Sequence, residues 1–177
     1  MTDTTPEIHF KTGAYNFLKN RTVAELLYRN LQWAKAPLFT DEEKVFARGL
    51  QKELGVKEQG LDETIKPLQE PEKVVSGGST DVADVSWVVP TASLGVACYP
   101  MEIPGHHWGV VSCTGSSLGF KGMRTAAKVI AASAIEALTD GRIIARAQKE
   151  FKEKTRGFVY RSAIPAEQKP PVKKKGK

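Results

Sequence analysis

Most features that would assign this chain at a glance are missing. No apolar run approaches the length of a transmembrane helix, and the N-terminus lacks the apolar core of a secretory signal. No membrane association is expected, and the cytoplasm is the default compartment. Cysteine is scarce: Cys98 and Cys113 each sit in an apolar run and read as buried, reduced thiols rather than a disulfide or redox pair. Histidine is scarce as well, with only His9, His106 and His107. A metal centre needs three or four ligands, and His9 lies on a distant strand where surface exposure is expected. Neither the GxGxxG nor the GK[ST] spacing occurs, so a nucleotide-binding loop has no specific support. No serine or cysteine carries the local signature of a catalytic nucleophile.

The charge is also less informative than its total. The formal balance is +6, but residues 168–177 hold five lysines and no acid, so the remainder is close to neutral. No aromatic residue interleaves with those lysines, and no nucleic acid is expected as a partner. A solvated Lys/Pro tail is the favoured reading over a polyanion tether. At 177 residues and 41% hydrophobic, the chain is long enough for one domain with a core. Its shortage of hydrophobic residues is concentrated in the polar segments 57–73 and 162–177.

Glu7-Ile8-His9-Phe10-Lys11 alternates like a strand with one buried face. From Thr22 the pattern is helical, with Val23, Leu26, Leu27, Leu31 and Ala34 on one stripe. Thr22 and Glu25 have capping-box spacing, Asn20 is a competing cap, and Pro37 ends the segment. A second helix starts at Thr40, with Val45, Phe46, Leu50 and Leu54 as its buried face and Gly55 as its stop. Residues 57–73 read as a long loop. Val85 to Val89 fits a short helix or turn, while Ala92–Tyr99 and Trp108–Cys113 read as strands, the latter buried on both faces. A helix from about Lys121 to Leu138 repeats Met123, Ala127, Ile130, Ala134 and Leu138, a face of mostly small residues suited to packing on a sheet. Another follows from Gly141 to Lys154. This order predicts an α/β fold, a mixed sheet flanked by helices.

Three constellations carry possible chemistry. Ser76 to Asp81 is a loop of small hydroxyl residues around Gly77-Gly78, which can turn N–H groups toward an anion. It can equally be an ordinary turn with Asp81 capping the next segment. His106-His107 follows a Pro-Gly turn and reads as a metal ligand, an acid/base group or a structural histidine; on a strand only one of the pair faces a given pocket. Glu42-Glu43 falls in the first turn of a helix, where Glu43 completes a capping box with Thr40, and is read as structural.

Ser76-Gly77-Gly78-Ser79-Thr80-Asp81 resembles the Ser-Gly-Gly-Thr-Ser-Asp loop of the metallopeptidase family that includes aminoacylase and succinyl-diaminopimelate desuccinylase. Asp84-Val85-Ser86-Trp87, Pro104-Gly105-His106 and Gly119-Phe120-Lys121-Gly122-Met123 are most similar to its aminobenzoyl-glutamate hydrolase B-subunit branch. Tyr15-Asn16, Asn20-Arg21-Thr22 and the Ile164-Pro165 to Pro170-Pro171 stretch are similar too. The likeness covers nearly the whole chain but only the C-terminal part of that family.

The resemblance implies a C-terminal portion of a dinuclear-metal amidohydrolase acting on acidic N-acyl or N-aroyl amino acids. In that family a divalent pair, zinc or manganese, activates a water. By resemblance His106 is the last metal ligand, Gly77, Gly78, Ser79 and Thr80 hold the substrate carboxylate, and Asp81 organises the loop. His107 is then structural. It also implies three parts: residues 1–16 as the end of a lid strand, 17–161 as the C-terminal half of the catalytic domain, and 162–177 as a polar tail. The family's other metal ligands and its general base do not occur here. The chain alone is therefore expected to be inactive, with a second polypeptide or homologous subunit supplying the rest. The alternative is a non-catalytic remnant or interaction protein that keeps the fold.

Overall fold

The computed structural model describes residues 3–68 and 78–170, and within them six helices: α1 (Arg21–Ala34), α2 (Asp41–Glu53), α3 (Val82–Ser86), α4 (Trp108–Thr114), α5 (Ser117–Thr139) and α6 (Gly141–Lys154). Each long helix begins where a polar side chain can satisfy an orphan amide. Asn20 opens α1 by accepting the Val23 N–H at 3.0 Å, so it, not Thr22, is the cap. Thr40 and Glu43 form the reciprocal capping box of α2. Ser116 caps α5 and Asp140 caps α6. The chain leaves α2 through Leu54 and Gly55, whose φ of 65° is the left-handed conformation that glycine adopts without steric cost.

α1, α5 and α6 pack against one another, with Leu26, Val129, Ile143 and Ala147 buried between them. A second cluster joins α2, α4 and the start of α5 through Phe39, Leu50, Ile103, Cys113 and Leu118. Polar ties fix both. Glu150 on α6 accepts the N–H groups of Arg21 at 2.6 Å and Thr22 at 2.9 Å, continuing the α1 cap that Asn20 begins. Gln51 on α2 is fully buried; its amide donates to Met101 O at 2.7 Å and accepts the Gly60 N–H at 2.8 Å. That side chain, with the Met101 N–H on Gly60 O and the Phe39 N–H and Lys44 on Glu63, holds residues 57–68, which carry no helix or strand, against the body. The rest of the predicted loop, residues 69–73, lies outside the described residues, as do residues 171–177 of the tail.

The architecture is helical, which overturns the expected α/β fold with a mixed sheet. Among the described residues the β pairing is a single parallel bridge between Lys19 and Thr91. Glu7–Lys11 forms no strand, and Ile8 is 91% exposed. Ala92–Tyr99 likewise has no ladder. Alternation prepares a strand but cannot make one without a neighbour to take its backbone hydrogen bonds. Trp108–Cys113 is not a strand but most of α4. His107 caps it, Ser112 and Thr114 return hydroxyl bonds to Gly109 O and Val110 O, and Gly109 and Cys113, four apart, are the buried positions. The helix faces also depart from expectation. On α2, Ala47, Leu50 and Gln51 are buried while Val45 and Phe46 are exposed. On α5, Gly119, Gly122, Val129 and Ser133 turn inward, and the Met123–Ile130–Leu138 face turns out.

Candidate functional site

Gly78, Ser79 and Thr80 run exposed into α3; Gly77 lies outside the described residues. Thr80 starts the turn, its carbonyl accepting the Ala83 N–H at 3.0 Å and its hydroxyl the Val82 N–H at 3.3 Å. Asp81 occupies the cap position but makes no side-chain capping bond. The expected cap from Asp81 is thus made by Thr80. The amides of Gly78, Ser79 and Thr80 donate to no partner among the described residues.

What anchors α3 is the string Asp84 to Trp87. Asp84 accepts the Tyr15 N–H at 3.3 Å on one oxygen and the Tyr160 hydroxyl at 2.9 Å on the other, and this carboxylate pushes the Tyr160 phenol upward from its usual pKa. Ser86, fully buried, accepts the Leu18 N–H at 2.8 Å and donates to Ala83 O. Trp87 donates to Asn16 O at 2.7 Å and packs on Phe158 with ring centroids 4.5 Å apart. Tyr15 completes the cluster against Trp87, Phe158 and Tyr160. Asp84, Ser86 and Trp87 therefore clasp both the N-terminal and the C-terminal segments to α3. Sequence reasoning alone assigns this string no role. The signal available to it is a set of polar residues regularly placed beside a tryptophan.

His106 follows Gly105 on a turn, exposed, with φ of 57°. A left-handed histidine is uncommon and costs on the order of 1 kcal/mol. His107 has the structural role expected of it, though not by facing away on a strand: its Nδ1 accepts the Gly109 N–H at 3.1 Å. Neither histidine meets the loop through a hydrogen bond, ion pair or ring contact among the described residues. No group of three or more His, Cys, Asp and Glu side chains there is placed to hold a metal ion. His106 belongs to no such group among the described residues, and these residues do not by themselves fit a metal pair.

The remaining polar clusters are structural. Burial pushes the Glu43 carboxyl up, but Lys121 at 2.6 Å, the Ser117 hydroxyl and the Thr40 N–H outweigh it and hold it at about 2. This supports the structural reading of Glu43. Lys121 also donates to Leu38 O. In the same string, a Cβ on Gly119 would stand 2.5 Å from Thr114 O, and one on Gly122 would stand 2.6 Å from Ala97 O and clash with the Cys98 sulfur. Gly119-Phe120-Lys121-Gly122 is thus a packing motif. Cys98 is half-buried and Cys113 buried; both thiols are free, and burial pushes both pKa values up. A cleft of about 440 Å³ runs along α1 between residues 66–68 and 92–95, lined by Lys19, Arg21, Tyr28, Lys66 and Leu94 among others. None of the predicted site residues lines it. No helix among the described residues is long and apolar enough to cross a membrane.

The chain is similar to the B subunit of the p-aminobenzoyl-glutamate hydrolase of Escherichia coli (strain K12), 29% identical over an alignment of 189 positions. The match takes in 93% of this chain and 39% of that protein, consistent with a likeness to its C-terminal part. The chain thus spans well under half the length of that relative. No protein-family model matches the chain, and no solved structure does.

Proposed function

We propose that this chain is the substrate-holding C-terminal portion of a metal-dependent amidohydrolase of the aminobenzoyl-glutamate type, working in the cytoplasm. The observation that carries the reading is the exposed Gly78–Thr80 loop, whose amides have no described partner, within a chain similar along 93% of its length to one subunit of a hydrolase. Such amides, with the Ser79 and Thr80 hydroxyls, suit the carboxylate of an acidic N-acyl amino acid. Asp84, Ser86 and Trp87 hold α3, onto which Thr80 turns, in a fixed orientation, which is what positioning a substrate requires.

His106 is the one metal ligand this chain contributes. The other ligands of a zinc or manganese pair, and the general base, belong to polypeptide beyond these 177 residues. That the E. coli relative is itself one subunit of its hydrolase favours such a partnership. A non-catalytic interaction protein is the competing reading, and the lack of any group of three or more potential metal ligands among the described residues favours it. Co-expression with the unmatched portion of the E. coli relative, followed by assay of p-aminobenzoyl-glutamate cleavage with zinc or manganese, separates the two. Hydrolysis that disappears in His106→Ala is expected. A folded combination that cleaves no N-acyl amino acid overturns the enzyme reading.

A further inference from the structure

α5 carries two apolar faces, and the described residues cover only one. Phe120, Met123, Ala127, Ile130, Ala134 and Leu138 follow steps of three and four along one side, about 27 Å of helix. Every one of them is exposed, Met123 at 63%, Ile130 at 57% and Leu138 at 87%. Large side chains alternate with alanines, so the stripe has both projections and hollows, as a helix that receives a partner does. Isolated exposed apolar residues need no explanation, but a continuous stripe of this length does.

The total surface makes the same point. The chain presents 13490 Å², against about 8,500 Å² for a compact monomer of its mass. Extended segments and exposed helix faces both contribute to the difference.

Charge indicates which kind of partner. Arg124 and Lys128 flank the stripe on one side, both exposed and with no ion pair among the described residues. The only acid on α5, Glu136, is already engaged by Arg29 and Asn30. An antiparallel two-fold pairing of α5 with a second copy would set this basic edge against itself. A different polypeptide with an apolar ridge and an acidic rim meets no such repulsion.

We infer that the Phe120–Leu138 stripe of α5 is the docking face for the polypeptide that supplies the remainder of the proposed amidohydrolase. The inference rests on that functional reading for the identity of the partner, but the face is tested by binding alone. The unmatched portion of the E. coli relative is co-expressed with this chain, and complex formation is measured by light scattering and calorimetry. The double variant Met123→Glu, Ile130→Glu changes only exposed side chains, so its circular dichroism and melting should match the parent. Its affinity for the co-expressed polypeptide should fall at least 100-fold, and in the parent complex α5 amides should gain protection from hydrogen exchange. Equal binding by the folded double variant overturns the proposal, as does the absence of any complex with the parent chain. A homodimer of the isolated chain that the double variant dissociates also overturns it, by making a second copy the occupant. A complex that depends on the stripe yet cleaves no substrate leaves the docking face standing and removes the enzyme reading. Hydrolysis indifferent to both substitutions does the reverse.

Discussion

The two sides of α5 obey opposite rules although both are rich in small and apolar residues. On the inner side Gly119 and Gly122 let backbone carbonyls and the Cys98 sulfur approach to where a Cβ would stand, and Val129 is fully buried. On the outer side Ala127 and Ala134 alternate with large residues and meet water. The difference lies in what faces each side, not in composition. An inner position tolerates no added methyl, whereas an outer position is indifferent to one until a partner arrives.

The largest expected contrast is between small added groups on the two sides. Gly122→Ala should destabilise by about 3 kcal/mol, because Ala97 O and the Cys98 sulfur must move. Ala127→Leu should stay within about 0.5 kcal/mol. Urea denaturation of both variants measures the difference, and comparable losses would erase the distinction. Next, Gln51→Leu should cost about 2 kcal/mol by leaving the Gly60 N–H and Met101 O unsatisfied at the α2 end of the core. Amide exchange at Gly60 should accelerate with it.

Acid probes the polar ties that hold α5 and α1 to their neighbours. In Glu150, burial raises the carboxyl pKa, but Lys154 and the Arg21 and Thr22 donors lower it more, to about 2. Glu43 sits at about 2 as well. Both folded values lie below the ordinary carboxylate value. Their stabilisation is therefore complete above about pH 4.5 and is lost as pH falls toward 2. Glu43→Gln and Glu150→Gln should each be less stable at pH 7 and show a shallower loss of stability over that acid range. An unchanged acid slope would contradict the assignment. The smallest effect is expected at Ser133, whose buried hydroxyl finds no partner among the described residues. Ser133→Ala should stabilise by about 1 kcal/mol in thermal melts.

The long helices are largely legible in the sequence because their signals are local. Thr40-x-x-Glu43 predicts the observed capping box, Gly55 the observed left-handed stop, and the 3.6-residue period the span of α6. The candidate site is legible only as a string of likeness. Asp84 binds Tyr15 and Tyr160, 69 and 76 residues away, and no spacing rule connects such distant positions. For the same reason no local pattern marks Glu150 as a cap of α1 across 128 residues. Trp108–Cys113 reads as a strand because a short apolar run satisfies both periods, and the choice of helix falls to the His107 cap and the burial of Cys113.

By itself the sequence determined where α2 begins and ends and how far α6 runs, since those caps, stops and helical periods act over three or four residues and need no distant partner. Only the tertiary structure decided which side of α5 lies inside, that Ala92–Tyr99 finds no ladder, and that Asp84 rather than Asp81 ties α3 in place. These choices depend on what surface another segment presents, and contacts across a hundred residues leave no periodic trace in the chain.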